Sequence, residues 1–194
     1  MRRKFFSLLS LLPSLFCLCI FLSELPTETA AAAFTAVALH ECGHASIFLA
    51  LKKRLPSLTG QGGGLLLSTG FLSYRGELFY AFGGIGANLI SALFSFPFAL
   101  SPDASFSASF FAASLLYAAF NLIPAPPLDG GRILFAFLKS RLHEAKATAI
   151  ARSLSLFSIA VFLFSALRFS LFEGSFFYGI FLSARLISAH IETF

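Results

Sequence analysis

The five residues His40-Glu41-Cys42-Gly43-His44 bring two imidazoles and a carboxylate together at a spacing that suits metal chemistry. On an α-helix successive residues turn by about 100°, so His40 and His44 differ by only about 40° and project from one face. Two ligands for a divalent metal are thereby placed side by side. Glu41 falls on the flank of that face, close enough to reach water at a metal without being needed as a ligand, which is the position of a general base. The pattern is short enough to recur by chance, so its surroundings decide its weight. It lies within the apolar run 30–51, where a central acid costs roughly 2.5–3.5 kcal/mol to insert into a bilayer and therefore needs a partner or a function.

A catalytic zinc takes three protein ligands and keeps a position for water. The remaining candidates are few: His143, His190, Asp103, Asp129 and the other glutamates, most of them in loops or near the chain ends. Asp129 stands apart because it closes the run Asn121-Leu-Ile-Pro-Ala-Pro-Pro-Leu-Asp-Gly-Gly131. Pro124, Pro126 and Pro127 prevent a continuous helix there, and Gly130-Gly131 permit an unusual backbone. Broken backbone at membrane depth is tolerated only where protein or a wet cavity covers it, so a carboxylate on such a break is positioned to meet the two histidines. An ordinary interfacial turn with a solvated Asp129 is the alternative. His143, in a basic stretch, and His190 read as solvated interfacial residues.

The elements that must position these groups are membrane spans. Of 194 residues 57% are hydrophobic and 12% charged, with 27 Phe, more apolar surface than a domain of this size hides in its own core. Six apolar stretches are long enough to cross: about 5–22, 30–51, 79–100, 106–123, 149–167 and 171–190. The first also fits a secretory signal peptide, with Arg2, Arg3 and Lys4 ahead of it and small residues at 30–33. Cys17, Cys19 and Cys42 sit in apolar segments as small hydrophobes, with no disulfide framework implied.

The net charge of +5 belongs to the flanks of spans rather than to a nucleic-acid footprint. If six spans alternate, Arg2, Arg3, Lys4, Lys52, Lys53, Arg54, Arg75, Arg132, Lys139, Arg141, Lys146 and Arg152 fall at one face, whereas Glu24, Glu28, Asp103 and Glu173 fall at the other with Arg168 beside them. Basic loops stay on the cytoplasmic side, so both termini are expected in the cytoplasm. Between the second and third spans, 55–77 is broken by Gly and Ser into two short apolar runs and reads as a β-hairpin or re-entrant strand pair, a flexible connection being the alternative.

HECGH within a span, followed about 80 residues later by NLIPAPPLDGG, resembles the site-2 protease family of intramembrane zinc metalloproteases, peptidase family M50. That resemblance implies a fold of helices around a three-helix catalytic core, with zinc held by His40, His44 and Asp129 and with Glu41 as general base. It covers roughly 30–138, and it likens 55–77 to the family's membrane-embedded β element, which helps present an extended substrate. Asn121, by the same resemblance, orients substrate or braces the broken segment. Asn88, ending Gly83-Gly84-Ile-Gly86-Ala-Asn88, is similar to a Gly-rich, Asn-ending pattern of the family's third span, although the Gly-Pro often found there is missing. Substrate contact at Asn88 therefore stands beside a helix-packing role through small residues. No PDZ or CBS domain is expected, and the compact plan is most similar to the sporulation-type branch.

These readings combine into an all-α polytopic membrane protein of about six spans with a small β element, in one domain: a catalytic core at 29–138, flanked by 1–28 and 139–194. The expected activity is cleavage of a membrane-inserted or membrane-attached protein near the cytoplasmic face, with zinc as cofactor, a possible regulatory membrane partner, no nucleic acid, and a bacterial plasma membrane as the home. The rival is a metal transporter or a metal-binding membrane protein without protease activity. A transporter is expected to repeat polar residues along several spans, whereas here they gather at one site. Single-cysteine probes at Lys53 and His143 should label from the cytoplasm and a probe at Ser105 from the opposite side; labelling of Ser105 from the cytoplasm alone overturns the alternating six-span plan.

Overall fold

The computed structural model describes residues 25–52, 57–61, 64–68, 72–101, 104–173, 184, 186–191, 193 and 194, with the backbone alone at 57–61, 64–68 and 166–173. The expected first span at 5–22 lies outside these residues, as do Cys17, Cys19 and most of the expected span 171–190. The chain divides into two compact units, Met1–Leu122 and Ile123–Phe194.

In the first unit, α1 (Thr27–Lys52) begins just after Pro26, places Glu28 in its first turn and Lys52 in its last, and so matches its charges to the helix dipole. Its 26 residues rise about 39 Å, enough for a hydrocarbon layer of about 30 Å. Strands β1 (Ser57–Gln61) and β2 (Gly64–Ser68) pair antiparallel, with Ser57 opposite Ser68 and Gln61 opposite Gly64, the small β element expected between the second and third spans. Helix α2 (Tyr74–Ala99) is capped by Ser73, whose hydroxyl accepts from the Gly76 amide at 3.2 Å. Helix α3 (Ser105–Asn121) occupies the expected span 106–123. The helices α1 and α2 are long and apolar enough to cross a membrane, as is Glu144–Ser165 in the second unit.

Each helix of the first unit buries a stripe spaced by four residues. On α1 it is Ala32, Ala36, His40, His44 and Phe48; on α2 it includes Gly76, Tyr80, Gly84, Asn88 and Ala92; on α3 it is Ser114 and Ala118, with Asn121 beside them. This is the geometry of side chains that stack along one helix face. The outward faces carry Phe34, Phe79, Leu93, Phe94 and Leu116, all largely exposed, which suits contact with lipid. Hydroxyls on the outer surface are satisfied locally: Ser46 donates to the Cys42 carbonyl at 2.7 Å, one turn back. The fold is that of an all-α polytopic membrane protein with a small β element.

Small residues let α1 and α2 touch backbone to backbone. A Cβ at Gly43 would run into the Gly83 carbonyl oxygen and lie 2.7 Å from Ala87 Cβ; one at Gly83 would lie 2.7 Å from Ile47 Cγ1 and 2.8 Å from the Gly43 carbonyl.

The second unit opens on the broken segment. The Leu128 amide bonds to the Ala125 carbonyl at 2.9 Å, and α4 (Asp129–Arg141) starts immediately after it. The expectation of an unusual backbone at Gly130-Gly131 is corrected here: both lie in the first turn of an ordinary helix, because the prolines end before it. Gly131 is needed for a different reason, since its Cβ would lie 2.7 to 2.9 Å from backbone atoms of Ala125 and Pro126. The broken chain folds back against the helix start. Helix α5 (Glu144–Glu173) then runs without interruption past Arg168, where a gap between two spans was expected. Lys139 and Glu144 form an ion pair across the turn between α4 and α5.

His143 is exposed, as expected, but His190 is not. It is 5% exposed, with Nδ1 2.9 Å from the buried Ser155 hydroxyl on α5. The expectation of a solvated residue fails because 186–191 are helical and pack on α5, with Leu186 also buried.

Gly43→Ala should destabilise the protein by about 1–3 kcal/mol, since the clash is with main chain. Gly86→Ala, where an added Cβ meets nothing within 4 Å, should be neutral or slightly stabilising. Thermal unfolding in one detergent compares the two; equal melting temperatures would contradict the packed crossing.

Candidate metal centre

The stripe on α1 puts His40 and His44, 2% and 5% exposed, on its buried face, with their Nε2 atoms 3.1 Å apart. Each ring is gripped from behind. His44 Nδ1 lies 2.7 Å from the Tyr80 carbonyl, which can only accept, so Nδ1 carries the proton and Nε2 the lone pair. His40 Nδ1 lies 3.1 Å from Asn88 Oδ1. Aromatic rings fix the planes: Tyr80 stacks on His44 with centroids 4.6 Å apart, and Tyr117 meets His40 edge-on at 4.8 Å.

Gly84 stands opposite both imidazoles. A Cβ there would lie 2.5 Å from His44 Nε2 and 2.6 Å from His40 Nε2. The missing side chain leaves room beside the two nitrogens that a metal would use, and imidazole nitrogens with a carboxylate are a donor set that fits zinc.

Glu41 is exposed on α1, one position from the buried stripe, as the helical spacing anticipates. Cys42 is also exposed and free. Asn88 is fully buried, with its amide nitrogen 3.3 Å from the Ala36 carbonyl and 3.5 Å from that of Ser114. Asn121 donates to the Tyr117 carbonyl at 3.0 Å, one turn back, and so braces the end of α3. In the second unit Asp129 is 5% exposed and is the first residue of α4, where the helix N-terminus favours a negative charge. The sequence reading did not single out Tyr80 or Tyr117, and it took Gly84 only as part of the Gly-rich run that ends at Asn88. The signal that could have found Tyr80 and the role of Gly84 is the spacing Tyr80-x3-Gly84-x3-Asn88, which places the three residues on one helix face.

A polytopic helical membrane protein with a buried His-x3-His pair is the class that fold and site define. Residues 102–164 match the model of Peptidase family M50, a stretch that includes the Asp129 element. The whole fold is similar to that of the site-2 protease from Methanocaldococcus jannaschii, with a TM-score of 0.66 at 22% identity over 95% of this chain and 87% of that one. Among curated proteins none matches the chain. The family match covers about a third of the chain, and the likeness to the solved structure shows a shared fold.

Gly84→Ala should lower metal retention by at least about tenfold while leaving helicity intact, because both histidines are held from behind and have nowhere to retreat. Metal content after dialysis against a weak chelator, read beside circular dichroism, checks this.

Proposed function

We propose that this protein is an intramembrane zinc endopeptidase that cleaves a membrane-inserted or membrane-attached protein near the cytoplasmic face. The observation that carries the reading is the buried pair His40 and His44, whose Nε2 atoms lie 3.1 Å apart on one face of α1 opposite the bare Gly84. Support also comes from the fold and from the family match at 102–164. His40, His44 and Asp129 would hold the ion. Bound there, zinc would lower the pKa of water and polarise the scissile carbonyl.

The chain's own residues supply the rest. Glu41, beside the ligand face and exposed, takes the proton of the attacking water and returns it to the leaving nitrogen. An exposed carboxylate on an apolar helix is costly, and this role accounts for it. A helical substrate shields its own peptide bonds, so it must be drawn into extended form; the β1–β2 pair offers a strand edge for that. Asn121, at the end of α3, is proposed to brace the segment leading to Asp129. Both termini are proposed to lie in the cytoplasm of a bacterial cell.

Glu41→Gln preserves volume and removes the base. This variant should keep zinc and lose cleavage of a single-span test substrate by about 10²–10⁴-fold or more, whereas Asp129→Ala should lose zinc as well. Unchanged turnover in Glu41→Gln, with zinc content verified, would overturn the protease reading in favour of a metal-binding protein without proteolysis.

A further inference from the structure

We infer that Asn88 is a positioning residue that fixes the tautomer of His40, so that Nε2 is the nitrogen offered to a metal before one arrives; the inference builds on the reading of His40 as a ligand. The argument starts from groups with no choice. The carbonyls of Ala36 on α1 and Ser114 on α3 can only accept, and Asn88 lies 3.3 and 3.5 Å from them through one end of its amide. That end must therefore be the NH₂ group, the amide's donor. The other end, Oδ1, can only accept, and it faces His40 Nδ1 at 3.1 Å. Nδ1 then carries the proton, and Nε2 the lone pair.

The position calls for this residue type. One planar group has to donate at one end and accept at the other, with no net charge, at a point that is 0% exposed. A carboxylate would accept from His40 but oppose two carbonyls and bury a charge; an aliphatic side chain would leave the imidazole N–H without its acceptor. Asn88 also joins α1, α2 and α3 through the same amide, so the ring's orientation and the helix packing are fixed by one group. This role is different from contact with substrate.

The test uses the whole protein with selectively ¹⁵N-labelled histidine, metal-free and above the imidazole pKa. The wild type should show His40, assigned by comparison with His40→Gln, with Nδ1 protonated and Nε2 bare. Asn88→Leu should mix or reverse the tautomer and weaken zinc affinity, measured by chelator competition, by about 10–100-fold. Asn88→Asp keeps the acceptor and should hold the Nδ1–H tautomer even if its melting temperature falls, which a purely structural role does not predict. His40 protonated at Nε2 in the wild type would overturn the assignment, as would an Asn88→Leu protein with unchanged tautomer and zinc affinity. If Asn88→Leu does not fold, the wild-type and Asn88→Asp spectra decide. A wild type that binds no zinc while its tautomer still follows residue 88 removes the metal reading and leaves the role of Asn88 standing.

Discussion

A polar group inside an apolar helix must be satisfied by protein, because lipid offers it nothing. Two histidines on one face of α1 meet that demand by drawing their surroundings into line. His44 takes a main-chain carbonyl of α2, and His40 takes the Asn88 amide, which in turn takes carbonyls from α1 and α3. Helices that answer such demands have to pack closely, and the glycines at 43 and 83 let them. The three-helix arrangement and the ring geometry are thus consequences of one constraint. Alternative packings of three greasy helices would be nearly equal in dispersion energy; they would differ sharply in how many polar groups they left unmet.

Much of this was legible in the sequence because it depends on helical phase alone. HECGH inside an apolar run places both imidazoles on one face whatever the neighbours are, and the buried stripe through Ala32, Ala36, His40, His44 and Phe48 follows that phase. The strand pair was legible from turn residues between short apolar runs. Less so was α4: the prolines ahead of it and Gly130-Gly131 within it suggest continued irregularity, yet prolines that stop at 127 leave a helix free to start at Asp129. Gly131 was read as a dihedral requirement and is instead a close approach, which no local pattern reports. Arg168 was read as the end of a span because charge marks boundaries, but a single arginine does not interrupt a helix, and α5 continues to Glu173. His190 was misjudged because its burial depends on a helix packing against α5, a tertiary fact.

The two histidines are fixed by different means, and the difference follows from where each lies along α2. A backbone carbonyl has two lone pairs, so Tyr80 can serve its own helix with one and His44 with the other. No side chain is required, and the ring of Tyr80 is left to stack on the imidazole it orients. Two turns further on, His40 is reached by a side chain that must span the gap between helices, and only a group with both donor and acceptor character serves there. Between the two, Gly84 contributes by having no side chain. Tyr80, Gly84 and Asn88 are therefore one stripe with three tasks: to accept from His44, to make room beside both imidazoles, and to accept from His40. That stripe faces His40 and His44 at the same four-residue spacing, so a shift of one helix past the other by a single residue would misalign every member at once. Register between α1 and α2 is thereby specified by polar chemistry, in a setting where apolar packing alone would specify it weakly.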